Sequence, residues 1–167
     1  MALSGNIVVA AAMTLTADPI GSGATVSVPL PFSFAMSLTD GTTANKANRI
    51  YSKRLTLSAS PTDIDLAGSL VDVYGNALAF VEVVGILVKN NSSVATEDVR
   101  IGGSGNGLGG WISAVTESNI IGPGGVFCII NPADPAYQVV GGTGDILQVV
   151  ADNGTPTADV MILGRST

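Results

Sequence analysis

The stretch that decides the fold is FVEVVGILVK at residues 80–89, the most apolar run in the chain. It is rich in the β-branched residues Val and Ile, and the turn-forming sequence NNSS at residues 90–93 follows it directly. A short, continuous apolar run that ends in turn residues is typical of a strand buried on both faces. We therefore predict that this segment is the central strand of the core.

Strand-like runs separated by turns continue outward from this segment in both directions. In residues 48–58, Tyr51, Leu55 and Leu57 alternate with polar residues, and residues 126–130 form another apolar run. All such runs together give about eight to ten strands bounded by Gly, Pro, Asn or Asp. This pattern predicts an all-β fold, a two-sheet β-sandwich that is jelly-roll-like.

The composition also favours strands over helices. Charged residues make up 12% of the chain, whereas Gly occurs 21 times and Pro 8 times. Exposed helix faces are normally built from charged residues, so long surface helices are not expected. One exception is the helix-like spacing of Leu66, Leu70 and Val73, which predicts one or two helical turns ending at Gly75.

The low charge leaves two interpretations of the surface. One is a small, dense core beneath a surface of Ser and Thr, and the other is an apolar interface between subunits. We favour the interface, because a typical protein has about 25% charged residues. The chain is therefore expected to form a homo-oligomer.

The N-terminal segment, residues 1–40, is predicted to be an extended arm or a set of edge strands, with the sandwich domain formed by residues 41–167. Proline lacks a backbone N–H, so Pro29 and Pro31 exclude this segment from the middle of a sheet. We predict that Pro29, Leu30, Pro31 and Phe32 contribute to contacts between subunits.

Several kinds of chemistry are excluded or disfavoured. The chain has no histidine, so neither a Ser-His nor a Cys-His nucleophile can be built. Cys128 is the only cysteine, it can close no intrachain disulfide, and its apolar neighbours predict that it is buried. Calcium ligation by loop residues stays open for two groups: Asp63, Asp65 and Asp72, and Asp152, Asn153 and Asp159. We predict no catalytic residues and no cofactor.

A glycine-rich segment, residues 102–110, contains a literal G-x-G-x-x-G. A dinucleotide site needs a helix after the last glycine, but residues 111–115 read as a strand. We therefore predict a surface loop that tolerates substitution.

Charge indicates what the chain binds. A net charge of -6 argues against nucleic acid as a partner. Four of the seven basic residues nevertheless cluster: Lys46, Arg49, Lys53 and Arg54. This cluster predicts docking on an acidic partner surface, although ordinary solvated charges would give the same pattern.

The beginning of the chain lacks the basic region of a secretory signal, and residues 7–13 are too short to span a bilayer. We expect synthesis in a cytoplasm and no insertion into a membrane.

Several passages from residue 48 to residue 165 resemble small structural proteins of tailed bacteriophage virions. They are DIDLAGSL at 63–70, YGNALAF at 74–80, VKN at 88–90, GPGGVF at 122–127, GDILQV at 144–149 and ILG at 162–164. The resemblance implies a head decoration (cement) protein that binds the major capsid protein or another virion protein, reinforces the lattice, and is commonly a trimer. It places the protein in the virion.

Two other functions stay open. A tail or fibre component would bind a host glycan or receptor through exposed aromatic residues, namely Trp111, Tyr51, Tyr74 or Tyr137. A glycoside hydrolase would use two of the thirteen acidic residues, but most of these lie beside Gly or Pro in turns.

Overall fold

A computed structural model describes residues 2–17, 26–68 and 70–166. These residues form thirteen β-strands and no helix, which confirms the all-β prediction. Two compact units are present: Ser4–Leu38 forms one, and the other described residues form the second. The boundary predicted from the sequence lies after residue 40, whereas the smaller unit ends at Leu38.

The strands follow the chain in this order: β1 (Gly5–Ala17), β2 (Val26–Leu38), β3 (Arg49–Thr56), β4 (Thr62–Asp65), β5 (Leu70–Val71), β6 (Ala77–Leu78), β7 (Glu82–Asn90), β8 (Val99–Gly102), β9 (Ser118–Ile121), β10 (Val126–Ile130), β11 (Tyr137–Gln138), β12 (Ile146–Ala151) and β13 (Thr157–Arg165).

The larger unit is a two-sheet sandwich with jelly-roll topology. Its first sheet has the order β10-β7-β13-β3, with β11 also paired to β7, and its second has the order β4-β12-β8-β9. Numbered one to eight along the chain, these eight strands run 6-3-8-1 in the first sheet and 2-7-4-5 in the second. Every pairing is antiparallel, as two interlocking Greek keys require. The sandwich predicted from the sequence is thus confirmed.

Strand β7 is the central core strand that the apolar run predicted. It lies between β10 and β13. Its side chains Val83, Val84, Ile86 and Val88 are almost fully excluded from solvent. Burying one such side chain stabilises the fold by about 1.5–3 kcal/mol.

The second sheet supplies the other half of the core. In β12, Leu147, Val149 and Ala151 are buried and alternate with half-buried residues. Strand β3 alternates as predicted, with Tyr51 and Leu55 in the same core cluster. The inner faces of both sheets therefore fill one continuous core.

The helical turns predicted before Gly75 are wrong. The described residues there form the short hairpin β5–β6, and Ser69 lies outside the described residues. Oδ1 of Asp72 accepts hydrogen bonds from the N–H groups of Tyr74 at 2.8 Å and Asn76 at 2.9 Å. Gly75 adopts φ +84°, which is left-handed backbone. The Asp72 side chain thus gives the backbone a turn in place of a helix.

The burial of the glycine-rich segment, residues 102–110, also differs from the prediction. Leu108 is 1% exposed and belongs to the core, and Gly107 is buried and bridges Ile146 of β12. The description of a wholly exposed, tolerant loop is therefore wrong at these positions. Residues 111–116 form bends and turns, not the expected strand.

Arg165 is the most deeply buried charged residue among those described, at 2% exposure. Its guanidinium donates to Oε2 of Glu82 at 2.6 Å. It also donates to the carbonyl oxygens of Lys46 at 3.0 Å, Ala133 at 2.8 Å and Pro132 at 3.1 Å. One side chain therefore joins β13 and β7 to two loops.

We expect Gly107→Ala to destabilise the sandwich by about 1–3 kcal/mol, because the added methyl group overpacks a closed site. A Cβ at this position would lie 2.9 Å from the carbonyl oxygens of Ser104 and Val115. Gly105→Ala is the matched control, since a Cβ there meets nothing within 4 Å. Urea unfolding measures both, and equal effects would contradict this account of the loop.

Arg165→Ala should lower the free energy of unfolding by about 3–5 kcal/mol, because it leaves the Glu82 carboxylate, whose side chain is only 13% exposed, without its partner. Arg54→Ala removes an ion pair whose two side chains are 67% and 41% exposed, so its effect should be much smaller. Guanidinium unfolding of the two variants makes the comparison. Similar losses of unfolding free energy in the two variants would show that the burial of Arg165 does not increase its contribution to stability.

Candidate assembly surface

The smaller unit is a long β-hairpin. Strands β1 and β2, each of 13 residues, pair without a register shift from Gly5 opposite Leu38 to Ala17 opposite Val26. At about 3.4 Å per residue the hairpin is roughly 40 Å long. Side chains directly opposite each other project from the same face, so the register assigns each residue to one of two faces.

One face of the hairpin, which we call the apolar face, carries only apolar side chains. Its cross-strand pairs are Ile7 with Met36, Val9 with Phe34, Ala11 with Phe32, Met13 with Leu30 and Leu15 with Val28. The opposite face carries small, polar and proline residues together with Val8. Its pairs are Asn6 with Ser37, Val8 with Ala35, Ala10 with Ser33, Ala12 with Pro31, Thr14 with Pro29 and Thr16 with Ser27.

The apolar face is open to solvent. Its exposed large side chains are 41% to 67% exposed: Val9, Met13, Leu15, Val28, Leu30, Phe32 and Phe34. Residues 2–17 and 26–38 contain no Asp, Glu, Lys or Arg. Contiguous exposed apolar surface of this kind marks an interaction site.

The predicted interface residues divide between the two faces. Leu30 and Phe32 lie on the apolar face, whereas Pro29 and Pro31 lie on the opposite face. Their role in contacts between subunits stays a prediction. Alternation along each strand predicts only one half of the apolar face, because the pairing of β1 with β2 brings the two halves together.

The prolines limit how β2 can pair. An antiparallel pair accommodates proline only where its nitrogen points away from the partner strand. Pro29 and Pro31 are two residues apart, so the outer edge of β2 lacks two consecutive outward N–H donors. A further strand cannot add continuously at that edge.

The four basic residues predicted to dock on a partner are not brought together. Arg54 points outward from β3, where its Nε and Nη2 atoms donate to the carboxylate of Asp159 at 2.6 and 2.8 Å. Arg49 and Lys53 alternate with Arg54 along the strand and so belong to the other side of the pleat. Lys46 lies before β3 and is half-buried.

The ion pair between Arg54 and Asp159 affects the charge available at both residues. The hydrogen bonds from Arg54 hold the pKa of Asp159 low, at about 2. Arg54 is thereby neutralised locally and is a poor candidate for attracting another acidic surface. Lys53 lies on the edge strand β3, where a charge discourages pairing with a further strand. A docking role for Lys46, Arg49 and Lys53 stays a prediction.

A second apolar surface lies on the outer face of the first sheet. Cys128, Leu87 and Met161 form one row across β10, β7 and β13. Cys128 is exposed, so the prediction that it is buried is wrong. Its neighbours Phe127 and Ile129 pack against the core, and strand alternation then turns Cys128 outward.

Trp111 does not offer a free stacking surface. Its ring meets Phe127 edge to face, with centroids 5.7 Å apart, and its Nε1–H donates to the carbonyl oxygen of Leu108 at 2.7 Å. Tyr51 is buried in the core. Tyr74, at 73% exposure, is open to solvent.

The carboxylates considered for calcium serve in other contacts. Asp152 pairs with Arg100 at 2.5 Å, and Asp63 accepts a hydrogen bond from Gln148 at 2.8 Å. Hydrogen bonds from Asn76 lower the pKa of Asp72. Within residues 2–17, 26–68 and 70–166, no group of three or more acidic or cysteine side chains could hold a metal ion.

Comparison with known proteins gives no relative from which a function could be transferred: no family model, curated protein or solved structure matches the chain. The described part of the chain contains no helix long and apolar enough to cross a membrane.

We expect Cys128 to react with a maleimide in the native protein, to one label per chain, because its side chain is exposed. Partial burial raises the pKa of the thiol, so the reaction should be slower than that of free cysteine at the same pH. A Cys128→Ser, Val88→Cys variant is the control, since position 88 is 1% exposed and should label only after unfolding. Protection of Cys128 in the native protein would contradict its placement.

Proposed function

We propose that the chain is a non-enzymatic structural protein of a bacteriophage virion, a decoration (cement) protein that binds the head lattice and stabilises it. The observation that carries the proposal is the apolar face of the β1–β2 hairpin. This face is open in the single chain and contains no charge. A protein with such a face is suited to assembly.

The sandwich supports the same role. It has one continuous core and a buried ion pair that ties strands to loops, so it is a firm platform for an assembly surface. Jelly rolls occur in viral capsid proteins, but also in lectins and other classes, so the fold adds only an analogy. The proposed partners are copies of the same chain, as a trimer, and the major capsid protein.

The chemistry of the described residues is consistent with this proposal. Acidic side chains such as Asp152 and Asp159 are engaged in ion pairs, and the chain lacks histidine altogether. Trp111 packs against Phe127 and Tyr51 is buried, which leaves Tyr74 as the most exposed of the aromatic residues considered for a glycan. These features favour a structural role over hydrolysis or glycan recognition.

The experiment that tests the proposal is localisation of the chain by electron microscopy of intact particles, with its copy number measured by quantitative mass spectrometry. We expect hundreds of copies on the head surface. Particles stripped of the chain should release DNA at a lower temperature, and adding the purified chain back should restore the parent value. A handful of copies on the tail would point to the tail or fibre function, and absence from particles would overturn the virion assignment.

A further inference from the structure

The apolar face of the β1–β2 hairpin has the area of a protein interface. Taking about 150–250 Å² for each large side chain, its exposed fractions amount to roughly 700 Å². A stable interface of standard size buries about 800 Å² on each partner. The face alone therefore comes close to what specific association between two proteins needs.

The distribution of side-chain size across this face makes it complementary to itself. The two aromatic residues Phe32 and Phe34 lie on β2, and the residues opposite them on β1 are the smaller Ala11 and Val9. If β2 of one hairpin lies over β1 of another, the large side chains of each fill the space above the small ones of the other. Such interdigitation is how the inner faces of two sheets pack.

The edges of the hairpin are less suitable for association than its face. Pro29 and Pro31 remove consecutive donors from the outer edge of β2. The opposite face carries Ser, Thr and Pro and contains one large aliphatic side chain, Val8. The apolar face is thus the surface of the hairpin that gains most from being covered.

The absence of charge also limits which kind of partner can cover the apolar face. Binding to an anionic membrane relies on Lys or Arg beside the apolar residues, and residues 2–17 and 26–38 contain neither. A strongly acidic or basic partner would likewise find no opposite charge on the apolar face. An uncharged apolar face is the best match, and the chain itself supplies one.

We propose that the apolar face is covered by the same face of another copy of this chain, with β2 of one copy over β1 of the other. In a pair the two faces cover each other, whereas in a ring of three β2 of each copy lies over β1 of the next. This pairing rests on the proposed function only in assuming that many copies act together. The tests use the purified full-length chain, so they do not depend on a capsid.

The first test places charge on the apolar face. Met13→Glu with Phe32→Glu should convert the oligomer into a monomer at micromolar concentration, measured by sedimentation velocity, because carboxylates cannot be buried there unpaired. Thr14→Glu with Ser33→Glu adds the same charge to the opposite face and should keep the parent mass. Trp111 fluorescence and the unfolding midpoint verify that the sandwich is intact in both.

The second test measures proximity in a Cys128→Ser background. Mixing an Ala11→Cys chain with a Phe32→Cys chain should give a disulfide-linked dimer of the two chains under mild oxidation. The matched control mixes Ala12→Cys with Pro31→Cys, which are also cross-strand partners but lie on the opposite face, and it should cross-link at least tenfold less.

The outcomes separate this inference from the proposed function. A monomeric parent, an oligomer that survives the charged variant, or equal cross-linking on both faces would overturn the inference. A monomeric parent that binds neutral phosphatidylcholine vesicles would assign the face to lipid instead. A monomer that still decorates heads would leave the proposed function standing, whereas a hairpin-linked oligomer absent from particles would refute only the proposed function.

Discussion

Packing of the two inner sheet faces against each other is the interaction on which the rest of the structure depends. Strand β7 is buried between β10 and β13, and its side chains belong to the same core cluster as those of β12 in the other sheet. This core fixes the position of β13, whose last residue, Arg165, then holds the carbonyl groups of two loops. Loop conformation in this protein is thus a consequence of strand packing.

Much of the sandwich could be predicted because its strands are marked locally. The apolar run that contains β7 indicates a strand buried on both faces. The alternation in β3 indicates a strand buried on one face. Gly107 and Leu108 could not be placed in this way, because they pair with Ile146 of β12, a segment distant in the sequence. Cys128 was misplaced for a related reason, since an apolar edge strand gives no local sign of which residues face outward.

The sequence alone predicts only part of the apolar face of the hairpin. Two prolines indicate an edge or an arm, and this points to residues 28–32. The apolar face emerges only when both strands are brought into register, because its residues are odd-numbered on β1 and even-numbered on β2. The four basic residues do not share one face for the opposite reason. Neighbours in sequence are separated by the pleat, and Arg54 finds Asp159 on the adjacent strand β13.

The order of strands along the chain determines which parts of the protein can fold first during synthesis. The hairpin pairs two neighbouring strands and can form as soon as residue 38 has left the ribosome. The first sheet cannot close until β13 is made, because β13 lies between β3 and β7. The uncharged face is therefore exposed to the cell throughout translation of the sandwich. The proposed pairing of hairpins would therefore be open to neighbouring nascent chains before either has folded its core.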